Sequence, residues 1–182
     1  MNTENLVDRI VGAFTFRTAV YEEVEADASF TQTAWILVAV VGFLNQLGTR
    51  GGIVAAIVGT LFVLIGFYLF AAVVGWVGRQ VFKATVTTDE LIRTLGLAYV
   101  WNVFGVLGLL SGGLAALIGG IAALLGLAAS LIAAKAALDL EWVQTIVTVV
   151  IGFIVFVVVL AIAGAVLAAL GLAAGVATGV LR

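Results

Sequence analysis

Five ionisable residues sit at spacings that would bring them together at one side of a membrane: Glu90 and Arg93, then Lys135, Asp139 and Glu141. Carboxylates and cations at the ends of apolar segments pair, snorkel to the interface, or hold an ion or a charged headgroup. An Arg93 to Asp139 contact is the expected pair. The plain reading is a set of ion pairs that fixes helix ends, with the acids placed where helix N-termini favour negative charge. The sharper reading is an ion or lipid-headgroup site. Bond-making chemistry has little to draw on, because the chain has no Cys and no His. That removes thiolate nucleophiles, disulfides, Ser-His triads, imidazole metal sites and the commonest haem ligand. No catalytic residue, cofactor or metal is therefore expected. Asn45, Gln46 and Asn102, uncharged and within or near apolar segments, read as hydrogen-bond partners between helices, and Trp101 as packing or a lipid contact.

The elements that would carry these residues are long and apolar. Hydrophobic residues make up 64% of the 182, charged residues 10%, and the mean hydropathy is +1.32. An ordinary soluble domain is about half apolar and a quarter charged. The expected fold class is all-α, a polytopic membrane helix bundle of five transmembrane helices at about 20 residues each, with an N-terminal amphipathic interfacial helix. Residues 1–28 form the polar N-terminal part and 29–182 the membrane domain. From Glu4 to Phe16, Leu6, Val7, Ile10, Val11 and Phe14 recur at spacings of three and four, which predicts a helix lying on the membrane with Thr3 as its cap. Arg17 to Ala28, with its acidic run, reads as a solvated connector. The opening MNTENLVDRIVGAFTF lacks the basic start and apolar core of a secretory signal and reads as mature protein.

Capping-box spacing places the first span at Ser29 to Leu47 and opens the third at Thr87-Thr88-Asp89-Glu90, running to about Leu110. The second covers Ile53 to Phe82 and the fourth Leu114 to Leu138. The stretch from Trp142 toward Arg182 is read as one span with a tail, two spans remaining open. Gly112, Gly119 and Gly126 recur every seven residues on the fourth span, and Gly164, Ala168 and Gly171 share a face of the last. Small residues so spaced let helices approach closely, within the chain or between subunits. With the N-terminus in the cytoplasm, Arg9, Arg17, Arg79, Lys83, Arg93 and Lys135 lie inside and Arg50 and Arg182 outside, which favours N-in, C-out.

Two sequence elements, ATVTTDELIRTLGLAYVWNV at 84–103 and AAKAALDLEW at 133–142, resemble the Yip (Rab-interacting protein-like) family of membrane proteins. Glu90, Leu91, Ile92, Arg93, Gly96 and Ala98 match an element that opens the family's third span. Ala137, Leu138, Asp139 and Leu140 match one that precedes the last, and FRTAVYEEVEAD at 16–27 is similar to the family's acidic lead. Trp101 and Asn102 stand where a Pro is common in the family. The resemblance implies five spans and a cytoplasmic N-terminus. The Gly/Ala-rich, loop-poor style is similar to the prokaryotic branch, so Rab binding does not carry over.

The function expected is that of a non-enzymatic scaffold or accessory subunit of a larger complex in the prokaryotic cytoplasmic membrane. Its partners would be the lipid bilayer and other membrane-protein subunits. A net charge of -2 argues against nucleic acid. The alternative is a small transporter or channel, which calls for polar groups near mid-bilayer and broken helices.

Overall fold

A computed structural model of the chain describes residues 3–110 and 113–177, with the side chains of the last helix described as far as Val158. The expected all-α architecture is present, and no strand occurs among the described residues. Helix α1 spans Thr3–Phe14, with Thr3 already helical rather than capping. Its Leu6, Ile10 and Phe14 pack inward while Val7 and Val11 stay exposed. The chain then reverses through Phe16, whose φ of 57° is left-handed.

Ala19–Ala26 forms α2, and here the expectation of a solvated connector fails. Val20, Tyr21 and Val24 are fully buried, while Glu22 and Glu23 point outward. Spacing of one and four residues puts the three apolar side chains on one helical face, and burying that face outweighs the pull of the acids toward water.

Helix α3, Phe30–Leu47, begins where the spacing places it but not by the expected cap. Ser29 is already helical in conformation, and its hydroxyl donates to Asp27 Oδ1 at 2.5 Å while its N–H donates to the same oxygen at 3.1 Å. A capping side chain needs an extended backbone, which Ser29 lacks, and the Asp27 carboxylate two residues earlier takes the Ser29 N–H instead. Helix α4 covers Gly52–Phe82 and ends on Lys83 at φ 60°, with Ala84 N–H returning to the Gly78 carbonyl at 3.2 Å. The capping box opening α5, Thr88–Ala98, forms in full: Glu90 N–H donates to Thr87 Oγ1 at 3.2 Å and Thr87 N–H to Glu90 Oε2 at 2.7 Å.

At Tyr99 the third long element changes character and continues as a 3₁₀ helix through Leu109. Such runs rarely exceed three or four residues, so eleven need a cause. A period of three aligns Asn102, Gly105 and Gly108 on one face, where α3 crosses closely. Asn45 Nδ2 donates to the Asn102 carbonyl at 2.9 Å, and Arg50 Nε to the Gly108 carbonyl at 2.8 Å. The glycines leave no side chain in the way: a Cβ on Gly108 would lie 3.1 Å from the Gly48 carbonyl carbon.

Helix α6, Gly113–Leu138, ends at Asp139 with φ 51°, and α7 runs without interruption from Trp142 to Ala177. The helices lie in the spatial order α7, α4, α3, then α5 with its 3₁₀ continuation, then α6. The starts of α3, α5 and α7 and the ends of α4 and α6 share one end of the bundle, called here the polar end. There α1 and α2 wrap α5, whose residues Leu91 to Ala98 are all buried. Among the described residues, four elements are long and apolar enough to cross a membrane: α3, α4, α5 with its 3₁₀ continuation, and α6. The described part of α7, Trp142 to Val158, is a shorter apolar stretch.

Candidate functional site

Two structures meet at the polar end: a dock for the N-terminal hairpin and a charged cluster above it. The dock centres on Trp101, which is buried and serves packing. Its Nε1 donates to the Ala13 carbonyl at 3.3 Å. Phe14 meets the indole edge-on at 5.0 Å and Phe16 stacks on it at 5.4 Å. Gly126 of α6 lies behind, where a Cβ would be 3.0 Å from that of Trp101. The amphipathic helix thus packs Leu6, Ile10 and Phe14 against the protein and leaves Val7 and Val11 exposed.

Arg93, 7% exposed, points from α5 toward the end of α2. Its Nε donates to the Glu25 carbonyl at 2.9 Å, Nη2 donates to the same oxygen, and Nη1 to Thr31 Oγ1 at 3.3 Å. The expected Arg93 to Asp139 ion pair is not formed; the ion pairs among the described residues are Arg9 with Glu23 and Asp27, and Arg17 with Asp8. The last carbonyls of α2 have no helical partner and carry the negative end of its dipole, so they draw the guanidinium. Arg93 accordingly pins the N-terminal hairpin to α5 and α3 instead of tying α5 to α6.

The carboxylates of Asp139, Glu90 and Glu22 act together on Glu25. Burial pushes the Glu25 carboxyl up to about 7, the charges of Asp139, Glu90 and Glu22 add to the rise, and Arg93 opposes it. Asp27 is held below the usual carboxylate range by the Ser29 hydroxyl and the Arg9 guanidinium, which is 2.9 Å away and also 5.1 Å over the Phe30 ring. Lys135 Nζ donates to the Leu140 carbonyl at 3.1 Å and rests 5.4 Å over the Trp142 ring. Lys135 and Asp139 share the lining of a pocket of about 320 Å³ with Glu22 and Thr18. Glu141 stands apart and exposed before α7, its N–H donating to Gln144 Oε1 at 3.3 Å.

Of the five residues singled out in sequence, Glu90, Arg93 and Asp139 thus come together around Glu25, and Lys135 and Asp139 around a pocket. The reading missed Thr18, Glu22, Glu25 and Thr31. The apolar spacing of Val20 and Val24 inside the acidic run was the signal that α2 docks and brings these groups with it.

The small-residue positions divide. Gly126 packs on Trp101, whereas Gly119 lines a cavity of about 410 Å³ with Phe104, Gly105 and Gly108 and Gly120 is exposed, and among the described residues no atom lies within 4 Å of a Cβ placed at either. Gly112 lies outside the described residues, as do the side-chain surroundings of Gly164, Ala168 and Gly171. Close helix approaches fall instead at Gly96 on Ala34, Gly78 on Leu138 and Gly152 on Val74, with Cβ positions 2.7–2.8 Å from their neighbours. Among the described residues no group of His, Cys, Asp and Glu is placed to hold a metal ion. No protein-family model, no curated protein and no solved structure matches this chain.

Proposed function

We propose that the chain is a non-enzymatic integral membrane protein, a scaffold or accessory subunit that presents α6 to another membrane helix. The single observation that carries this is the open face at Gly120. Glycines inside the bundle, such as Gly42, Gly78, Gly96, Gly126 and Gly152, each sit within contact distance of a neighbour, whereas Gly120 faces outward beside exposed Ala123 and Leu127. A helix face kept free of side chains admits a second helix to close backbone approach, the arrangement that drives association where lipid removes the hydrophobic gain.

The bilayer placement is part of the proposal, with α7 as a fifth span and the polar end in the cytoplasm of a prokaryotic cell. It is supported by the grouping of Arg9, Arg17, Arg79, Lys83, Arg93 and Lys135 toward the polar end, with Arg50 at the other. Membership of the Yip family is supported by the work its matching residues do: Glu90 closes the capping box and Arg93 holds α2. The helix also changes form at Tyr99, just before Trp101 and Asn102, where the family commonly has Pro.

The test is copurification in mild detergent followed by mass spectrometry. Gly120→Leu should release a partner while leaving the melting temperature of the isolated protein unchanged. Gly126→Leu should disturb the fold itself by displacing Trp101. Solute flux catalysed by the purified protein in liposomes, and lost on Asp139→Asn with the fold intact, would establish a transporter instead.

A further inference from the structure

The pocket at the polar end is lined by the last turns of α6, the start of α7 and the outward side of α2, and encloses about 320 Å³. Its wall carries the Glu22 and Asp139 carboxylates, the Lys135 ammonium, the Thr18 hydroxyl and the Trp142 ring. Neither Glu22 nor Asp139 takes part in the ion pairs formed among the described residues. Lys135 is fixed by the Leu140 carbonyl and the Trp142 ring, and an ammonium bonded once keeps two donors for a ligand.

Below the pocket the same face of α6 becomes apolar. Seven-residue steps lead from Lys135 to Ala128 and Ile121, with Leu124 and Leu117 alongside, and all four are exposed. From Lys135 to Ile121 this stripe extends about 21 Å at 1.5 Å per residue, longer than the roughly 15 Å of hydrocarbon in one bilayer leaflet. A charged pocket continuous with an apolar track of that length fits an amphiphile, its head among the charges and its chain along the helix.

We infer that this pocket binds a phospholipid whose headgroup bears a primary amine, of the phosphatidylethanolamine type. The phosphate meets Lys135, and the ammonium meets Glu22, Asp139 and Thr18. Two acids against one base disfavour a lipid of net negative charge. A choline head has no N–H to donate to the carboxylates, and the Trp142 face that would receive it already holds Lys135. The inference rests on the bilayer placement proposed above but needs no protein partner.

The experiment is native mass spectrometry of the full chain in mild detergent, with phosphatidylethanolamine, phosphatidylcholine and phosphatidylglycerol of identical acyl chains. The ethanolamine lipid should be retained about tenfold better than either competitor, the scale of one charge-assisted hydrogen bond. Glu22→Gln with Asp139→Asn should abolish that preference, and Lys135→Met should weaken all three lipids. Should the double variant melt early, Glu22→Gln alone, on an exposed face, should still reduce the preference. Equal retention of the three lipids, or a preference untouched by Glu22→Gln and the double variant, overturns the assignment. So does equally effective competition by soluble glycerophosphoethanolamine, which would make the occupant a soluble head and not a membrane lipid. Retention of no lipid at all overturns the assignment and the bilayer placement together, whereas loss of a copurifying partner leaves both standing.

Discussion

Replacing Gly48 by Ala should be among the most damaging single-methyl changes in the chain. Gly48 follows α3 with helical φ and ψ of -60° and -21°, which alanine adopts freely, so the effect is steric. The added Cβ would lie 2.8 Å from the Gly105 carbonyl carbon and closer still to its oxygen, against an ordinary contact of 3.4–4 Å. Both neighbours are backbone, so no side chain can swing away, and the crossing must open. Overpacking of this kind costs about 1–3 kcal/mol. The opening also stretches the bonds from Asn45 to the Asn102 carbonyl and from Arg50 to the Gly108 carbonyl, each contributing about 1 kcal/mol. The lower chain entropy of alanine returns about 0.5–1 kcal/mol. The net loss is about 2–4 kcal/mol, a fall on the order of 10 °C in melting temperature for a chain of this size. Thermal unfolding in mild detergent, followed by near-ultraviolet circular dichroism, measures it. Gly119→Ala is the matched control, since its Cβ meets nothing, and it should melt at or slightly above the parent temperature. If Gly48→Ala melts with Gly119→Ala, the close backbone crossing that explains the 3₁₀ segment is wrong.

Arg93→Met should destabilise by about 2–3 kcal/mol, the scale for removing a charged donor from buried acceptors, and should make the N-terminal hairpin protease-sensitive; unchanged protection would count against the Arg93 to Glu25 carbonyl clasp. The folded Glu25 carboxyl stands at about 7, above its ordinary 4.5, so the folded protein keeps a proton that the unfolded chain releases. Its contribution to stability is therefore complete below about pH 4.5 and lost as pH rises through about 7, and Glu25→Gln should flatten the melting curve over that window; an undiminished pH slope in the variant would exclude Glu25 as its source. Tyr21→Phe removes a buried hydroxyl that finds no hydrogen-bond partner among the described residues and should stabilise by about 1 kcal/mol; a lower melting temperature would show that the hydroxyl is engaged. A reporter fused after Arg182 should read exterior while one before Glu4 reads cytoplasmic, and a cytoplasmic signal from both would make the number of spans even.

Sequence by itself determined the long helices and most of their ends, because those depend on contacts within a few residues. Apolar length set α3, α4 and α6 to within a residue or two, and the reciprocal bonds of Thr87 and Glu90 could be read from spacing alone. Ser29 had the same spacing and failed, since its backbone is already helical and Asp27 takes its N–H, a competitor that pattern matching does not weigh. Only the tertiary structure decided the rest. The spacing of Val20 and Val24 marks a face of α2 to be buried, but where it docks depends on a surface assembled from α5 and α6. The 3₁₀ turn of Tyr99–Leu109 depends on how near α3 passes, and Arg93 chose a carbonyl 68 residues away over the acid expected for it. Charge sequence records which groups can attract, whereas distance and desolvation select among them, and both are properties of the folded chain.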